Sequence, residues 1–70
     1  MKLIINGDIK SIEAKENSLS LEDLIGLLGL NPRLIVVELN GIILTPDTWM
    51  LQGVQDGDSL EIVTIVGGGS

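Results

Sequence analysis

The sequence has no cysteine and no histidine, and Trp49 is its only aromatic residue. Without cysteine the chain cannot form a disulfide, a thiolate nucleophile, a Cys-ligated zinc site or a cysteine-held iron–sulfur cluster. Without histidine it lacks the usual general base and the commonest metal ligand. No apolar run is long enough to cross a membrane, and the first residues lack the pattern of a cleavable signal peptide. We therefore expect a cytoplasmic protein with no metal site and no catalytic group of its own.

Basic residues are also scarce. Four Lys and Arg residues stand against ten Asp and Glu residues, which gives a formal net charge of −6. The basic residues are scattered singly along the chain, whereas binding to phosphate backbones requires clustered positive charge. We expect no binding to nucleic acid or to an anionic membrane surface. The acidic balance favours solubility and steering toward a basic protein partner.

Seventy residues are enough for one domain with one small core. A chain of this size buries only about 60% of its unfolded surface, so a deep catalytic cleft is not expected. The run Asp56-Gly57-Asp58 contains two carboxylates, but it lacks the length and the final glutamate of an EF-hand loop. It predicts a tight turn.

The first half of the chain predicts a hairpin followed by a helix. Asn6-Gly7 is a strong hairpin signal between a strand over residues 1–5 and a return strand over residues 9–14. Ser20 is a good N-cap, and apolar residues follow it at helical spacing until Gly29. These signals predict a helix of about ten residues. Gly26 lies inside that helix, and we expect it to permit close packing on the sheet.

The second half predicts another hairpin, a connector and a final strand. Asn40-Gly41 closes a strand over residues 34–39 and begins a short return strand. Residues 48–55 form an irregular connector around Trp49. The β-branched run Ile62–Val66 then predicts a strand that leads directly into glycines.

The order of these elements predicts an α+β fold. One helix can cover one face of a mixed sheet of four or five strands. The last strand follows a long connector, so it can lie centrally and parallel to the first strand. This architecture is the ubiquitin-like β-grasp. We expect a β-grasp domain over residues 1–66 and a flexible glycine-rich tail over residues 67–70.

The glycine tail is the first candidate functional segment. Gly67, Gly68 and Gly69 have no side chains, so an extended backbone could enter a channel too narrow for any other residue. The alternative is a plain linker. No helix and no Lys-Ser/Thr motif follows these glycines, which excludes a phosphate loop.

The outward face of the sheet, on the side away from the helix, is the second candidate. Strand alternation places Ile4, Val36, Val63 and Ile65 on this face, with Glu61 beside them. With Lys2 and Glu38, Glu61 would form a charged rim. An exposed apolar patch with a charged rim is typical of a protein interface. The alternative is that the connector over residues 48–55 covers the face as part of the core.

Across essentially its whole length the chain resembles the thiamin-biosynthesis sulfur carriers of the ThiS family. The resemblance includes the helix capped by Ser20 and the connector around Trp49. Its most specific part is Val54-Gln55-Asp56-Gly57-Asp58, followed through Glu61-Ile62-Val63 by Val66-Gly67-Gly68-Gly69.

The resemblance implies a carrier protein and not an enzyme. An E1-like enzyme would adenylate the terminal glycine with ATP, and sulfur derived through a cysteine desulfurase would convert it to a thiocarboxylate. Thiazole synthase would accept that sulfur. No bound cofactor is implied, because the activating partner uses the ATP. In this sequence Ser70 follows Gly69. If Ser70 is removed, Gly69 would carry the sulfur, with Gly67 and Gly68 threading the channel of the partner enzyme; the alternative is that a form keeping Ser70 is not activated.

Other functions fit the same pattern. The small sulfur-carrier subunit of molybdopterin synthase has a Gly-Gly end on this fold, but it tends to be longer and binds a large catalytic subunit. A ubiquitin-like modifier would form isopeptide bonds to lysines of target proteins. A β-grasp interaction module would use the glycines only as a linker.

Overall fold

A computed structural model describes residues 1–15 and 18–65 of the chain. The strands and the α-helix, in chain order, are β1 (Lys2–Ile5), β2 (Asp8–Ser11), β3 (Leu19–Ser20), α1 (Leu21–Leu27), β4 (Ile35–Leu39), β5 (Ile42–Leu44), β6 (Gly53–Val54) and β7 (Ser59–Thr64). Short 3-10 helices span Pro32–Leu34 and Pro46–Leu51. Within the described ranges, none of the helices is long and apolar enough to cross a membrane.

The main sheet has five strands in the order β2-β1-β7-β4-β5. Strand β7 lies in the centre, parallel to β1 and antiparallel to β4. Strands β3 and β6 form a separate two-stranded sheet. The prediction of an α+β, β-grasp fold with a central last strand is therefore confirmed.

One face of the main sheet packs against α1 and forms the core. Burial alternates along the central strands, so that Leu3, Val37 and Leu60 are fully buried while Ile4 and Val36 are exposed. The core is almost entirely aliphatic and is completed by Trp49, which is 2% exposed. Its buried residues are Leu3, Ile5, Leu21, Leu24, Ile25, Ile35, Val37, Leu39, Trp49, Val54 and Leu60.

The ends of α1 follow the capping signals in the sequence. The Ser20 hydroxyl accepts a hydrogen bond from the backbone N–H of Asp23 at 3.0 Å. At the other end Gly29 has φ +71° and its N–H donates to Gly26, while the N–H of Leu30 donates to Ile25. These two bonds form a Schellman motif, which stops the helix after seven residues instead of the expected ten.

Two local expectations need correction. The second strand ends at Ser11, not at residue 14, because its ladder with β1 runs only from Ile5↔Asp8 to Lys2↔Ser11. The expected close packing at Gly26 is wrong, since a Cβ built there would have no neighbouring atom within 4 Å. Strand β7 is described to Thr64. The domain boundary at residues 66 and 67 lies outside the described residues and stays a prediction.

Candidate protein-interaction site

The turn before β7 is held by its own carboxylates. Oδ1 of Asp56 accepts from the backbone N–H of Lys2 at 2.6 Å, and Oδ2 of Asp58 accepts from the N–H of Gln55 at 2.8 Å. Gly57 has φ +89°, a conformation that glycine adopts without strain. Both carboxylates therefore fix the point where β7 enters the sheet. This agrees with the prediction that Asp56-Gly57-Asp58 forms a tight turn.

Asn6 extends the ladder between β1 and β7. At Asn6 the backbone turns away with φ +52°, after its N–H has donated to the carbonyl of Leu60. The side-chain amide continues the pattern along β7. Its Oδ1 accepts from the N–H of Ile62 at 2.7 Å, and its Nδ2 donates to the carbonyl of the same residue at 3.1 Å. The side chain thus replaces the peptide group that a longer β1 would have supplied.

Asn40 holds the other edge of β7 in a similar way. It also has positive φ, at +51°, and its backbone N–H donates to the carbonyl of Ser59 at 2.8 Å. Its Oδ1 accepts from the N–H of Ser59, and its Nδ2 donates to Oδ1 of Asp58. The two Asn-Gly turns therefore do more than join strands: their asparagines bind β7 from both sides.

Backbone hydrogen bonding continues from β7 to the last described residue, Ile65. The N–H of Ile65 donates to the carbonyl of Leu34 at 2.6 Å, on the β4 edge. Gly67, Gly68, Gly69 and Ser70 lie outside the described residues, so the predicted role of the tail rests on the sequence.

The outward face of the sheet exposes the predicted apolar residues. Exposure is 37% for Ile4, 37% for Val36, 61% for Val63 and 51% for Ile65. The connector does not cover them, because its 3-10 helix packs against α1 on the core side. The indole Nε1 of Trp49 donates to the carbonyl of Leu44 at 3.0 Å and fixes the connector there. Exposure makes this face available to a partner, and its use as an interface stays a prediction.

The register changes the predicted layout of charge on this face. Glu61 lies directly opposite Glu38, and the next outward pair along the strands is Val36↔Val63. On the other side of the sheet centre, Ile4 lies opposite Ile9. Glu38 and Glu61 therefore lie between apolar groups and are not at a rim. Strand alternation placed both on the outward face, but only the pairing of β4 with β7 brings them together.

Comparisons with known proteins agree with this fold. Thiazole synthase of Paramagnetospirillum magneticum is 43% identical over 70 residues, which is all of this chain but 21% of that protein. The protein ycf40 of Trieres chinensis is 40% identical over 53 residues, which is 76% of this chain and 73% of that protein.

Among solved structures, the crystal structure of the thiamine biosynthesis protein ThiS from Geobacter metallireducens superposes with a TM-score of 0.84 at 31% identity. It covers 99% of this chain and 100% of its own. A solution structure of a thiamine biosynthesis protein from the same organism gives 0.81 at 32% identity, covering 100% of this chain and 90% of its own. The sequence model of the ThiS family matches residues 3–69, through the last glycine of the tail. The chain belongs to the ThiS family.

Proposed function

We propose that this protein is a sulfur carrier for the thiazole moiety of thiamin and acts as a protein co-substrate of partner enzymes. The observation that carries the proposal is the extent of the family match, which runs from residue 3 to residue 69 and so includes the glycine tail together with the folded domain. The similarity to a thiazole synthase over the whole chain supports the same pathway.

The proposed reaction takes place at the carboxylate of Gly69. A carboxylate is a poor electrophile, so an E1-like enzyme first joins it to the AMP moiety of ATP and releases pyrophosphate. A persulfide sulfur, derived from cysteine through a desulfurase, then attacks the carbonyl carbon, and AMP leaves with the electron pair of the C–O bond. A thiol next cleaves the S–S bond of the acyl disulfide and is itself oxidised to a disulfide. The product is a thiocarboxylate, whose sulfur thiazole synthase would accept.

The fold is suited to presenting such a tail. Strand β7 is central in the sheet and is hydrogen-bonded along both edges, by Asn6 on one side and by β4 on the other. The last described residue before the tail, Ile65, is still hydrogen-bonded to Leu34 beside β4. The outward patch of Ile4, Val36, Glu61, Val63 and Ile65 would dock on the partner while the glycines enter its active site.

Intact mass spectrometry tests the proposal. Two forms of the chain, one ending at Gly69 and one ending at Ser70, would each be incubated with ATP, the E1-like enzyme and a sulfur source. We expect the form ending at Gly69 to exchange one oxygen for sulfur. The form ending at Ser70 is the matched control, because its glycine carbonyl is in an amide, and it should react only after Ser70 is removed.

Other outcomes identify the alternatives. Covalent adducts with lysines of other proteins would indicate a modifier. If neither form changes mass, and a chain truncated before Gly68 binds partners as well as the full chain does, the glycines are a linker and the carrier proposal is wrong. Transfer of sulfur to a molybdopterin precursor and not to thiazole synthase would place the carrier in the other pathway.

A further inference from the structure

Two carboxylates face each other in the middle of the outward sheet face. Glu38 of β4 and Glu61 of β7 are direct partners in the antiparallel ladder. Directly opposite residues have Cβ atoms about 4.5–5.5 Å apart, and like charges at such positions destabilise a sheet. The register therefore places two like charges on neighbouring strands of the face that is free of core packing.

The carboxylate pair has polar and apolar neighbours. Ser59 and Asn40 follow it toward the start of β7, and Asn6 lies on the β1 side, while the remaining neighbours are apolar. Toward one end of the strands lie Val36 and Val63, which are 37% and 61% exposed. Toward the other end lie Ile4 and Ile9, which are 37% and 73% exposed. The neighbour of Glu38 on β5 is Ile43, which is 62% exposed. A partner covering this face would remove the two charges from water, and electrostatic interactions there would be stronger than in bulk solvent.

The outward-facing cation of β1 lies away from the carboxylate pair. Lys2 is held beside Gly57, whose N–H donates to its carbonyl at 2.7 Å. Glu61 is four residues after Gly57 in the chain, a backbone separation of at most about 13 Å at the rise of a strand. Lys2 is therefore not a strand neighbour of either glutamate.

We propose that this face docks a partner protein through one arginine that lies between Glu38 and Glu61, with apolar partner side chains on either side. A planar guanidinium has five N–H donors and can bridge two carboxylates, which the single point charge of a lysine does less well. The inference rests on the proposed function, since the partner in question is the E1-like enzyme that activates the tail. The acidic net charge of −6 would favour the same encounter.

The test compares two neutral variants with a matched control. Glu38→Gln and Glu61→Gln each remove one charge of the pair, and Glu22→Gln removes one charge from α1, on the opposite side of the sheet. Binding of each full-length chain to the E1-like enzyme would be measured by titration calorimetry without ATP, at low and at high salt. Thermal and denaturant unfolding would be measured on the same samples.

Opposite effects on folding and binding are expected for the two pair variants. Loss of the repulsion should lower the equilibrium constant for unfolding by about 1.4- to 5-fold. Affinity for the enzyme should fall by about 30-fold or more, with a weaker dependence on salt, because the arginine would be left facing one carboxylate. Glu22→Gln should bind as the unmodified chain does.

Several results would overturn the inference. Binding of both pair variants with unchanged affinity and salt dependence would show that no cation reaches the pair. A carbodiimide crosslink between either glutamate and a lysine of the enzyme would exclude the arginine. The carrier function is tested separately: if the pair variants bind normally and still give the thiocarboxylate, the docking inference fails and the proposed function stands. If the unmodified chain binds and gives no thiocarboxylate, the proposed function fails.

Discussion

Replacing Asn6 with glycine should destabilise the domain and loosen β7 at one known point. The asparagine side chain makes two hydrogen bonds to Ile62, at 2.7 Å and 3.1 Å. Glycine keeps the backbone conformation at φ +52° without strain, so the folded variant loses only the side chain, and the greater freedom of glycine in the unfolded chain adds to the cost. The change therefore tests whether the amide acts as an extra rung of the sheet.

The expected cost follows from the number of bonds lost. Each hydrogen bond contributes about 0.5–1.5 kcal/mol net to stability, so the free energy of unfolding should fall by about 1–3 kcal/mol. For a domain of this size each kcal/mol corresponds to a change in melting temperature of about 4–8 °C. Asn6→Ala should cost about 1–2 kcal/mol more than Asn6→Gly, because alanine is strained in the left-handed region.

Denaturant unfolding followed by circular dichroism would give the free energies, and hydrogen exchange would locate the effect. The amide of Ile62 should lose protection in Asn6→Gly. The amide of Ile65, which donates to Leu34 on the opposite edge of β7, is the internal control and should change less. A loss below about 0.5 kcal/mol, the lower limit for one hydrogen bond, with unchanged exchange at Ile62, would refute the reasoning.

Four further substitutions, one of them a control, test the helix, the core and the outward face. Gly26→Ala should raise the free energy of unfolding by about 0.5–1 kcal/mol, because a Cβ there meets no atom within 4 Å. The control is Gly29→Ala, at φ +71°, which should lower the free energy of unfolding by about 1–2 kcal/mol. If urea unfolding gave the same change for both variants, the difference in backbone conformation between Gly26 and Gly29 would not explain their effects. Trp49→Phe should lower the free energy of unfolding by about 1–3 kcal/mol, because the carbonyl of Leu44 loses its hydrogen-bond donor. An unchanged melting temperature would mean that water replaces the indole N–H as the donor. Val63→Asp should lower stability by no more than about 1 kcal/mol while weakening binding to the E1-like enzyme, and global unfolding would show that this residue belongs to the core.

The fold could be predicted because its local signals agree with its global order. The cap at Ser20, the stop at Gly29 and the two Asn-Gly turns each act within a few residues, so they can be read from the chain. Helix length was predicted less well. The apolar stripe extends to Leu28, but the Schellman bonds to Ile25 and Gly26 end the helix one residue earlier.

The candidate site could be predicted only in part. Alternation identified the exposed Val36 and Val63, because the side-chain period of two is a property of a single strand. The opposition of Glu38 and Glu61 depends on the register of β4 with β7, which are separated by a long connector. The hydrogen bonds from the Asn6 side chain to Ile62 likewise depend on the parallel pairing of β1, at the start of the chain, with β7, near its end. No local pattern contains that information.

The position of β7 links the outward face to the tail geometrically. Val63 lies on the outward face, and Gly69 follows it by six residues. Six residues span at most about 20–22 Å when fully extended. If the face docks and the tail reacts, the adenylating centre of the partner must lie within that reach of the docked Val63. Because β7 is held at both edges, Val63 is fixed relative to Glu61, so a contact that aligns the domain also limits where Gly69 can be delivered.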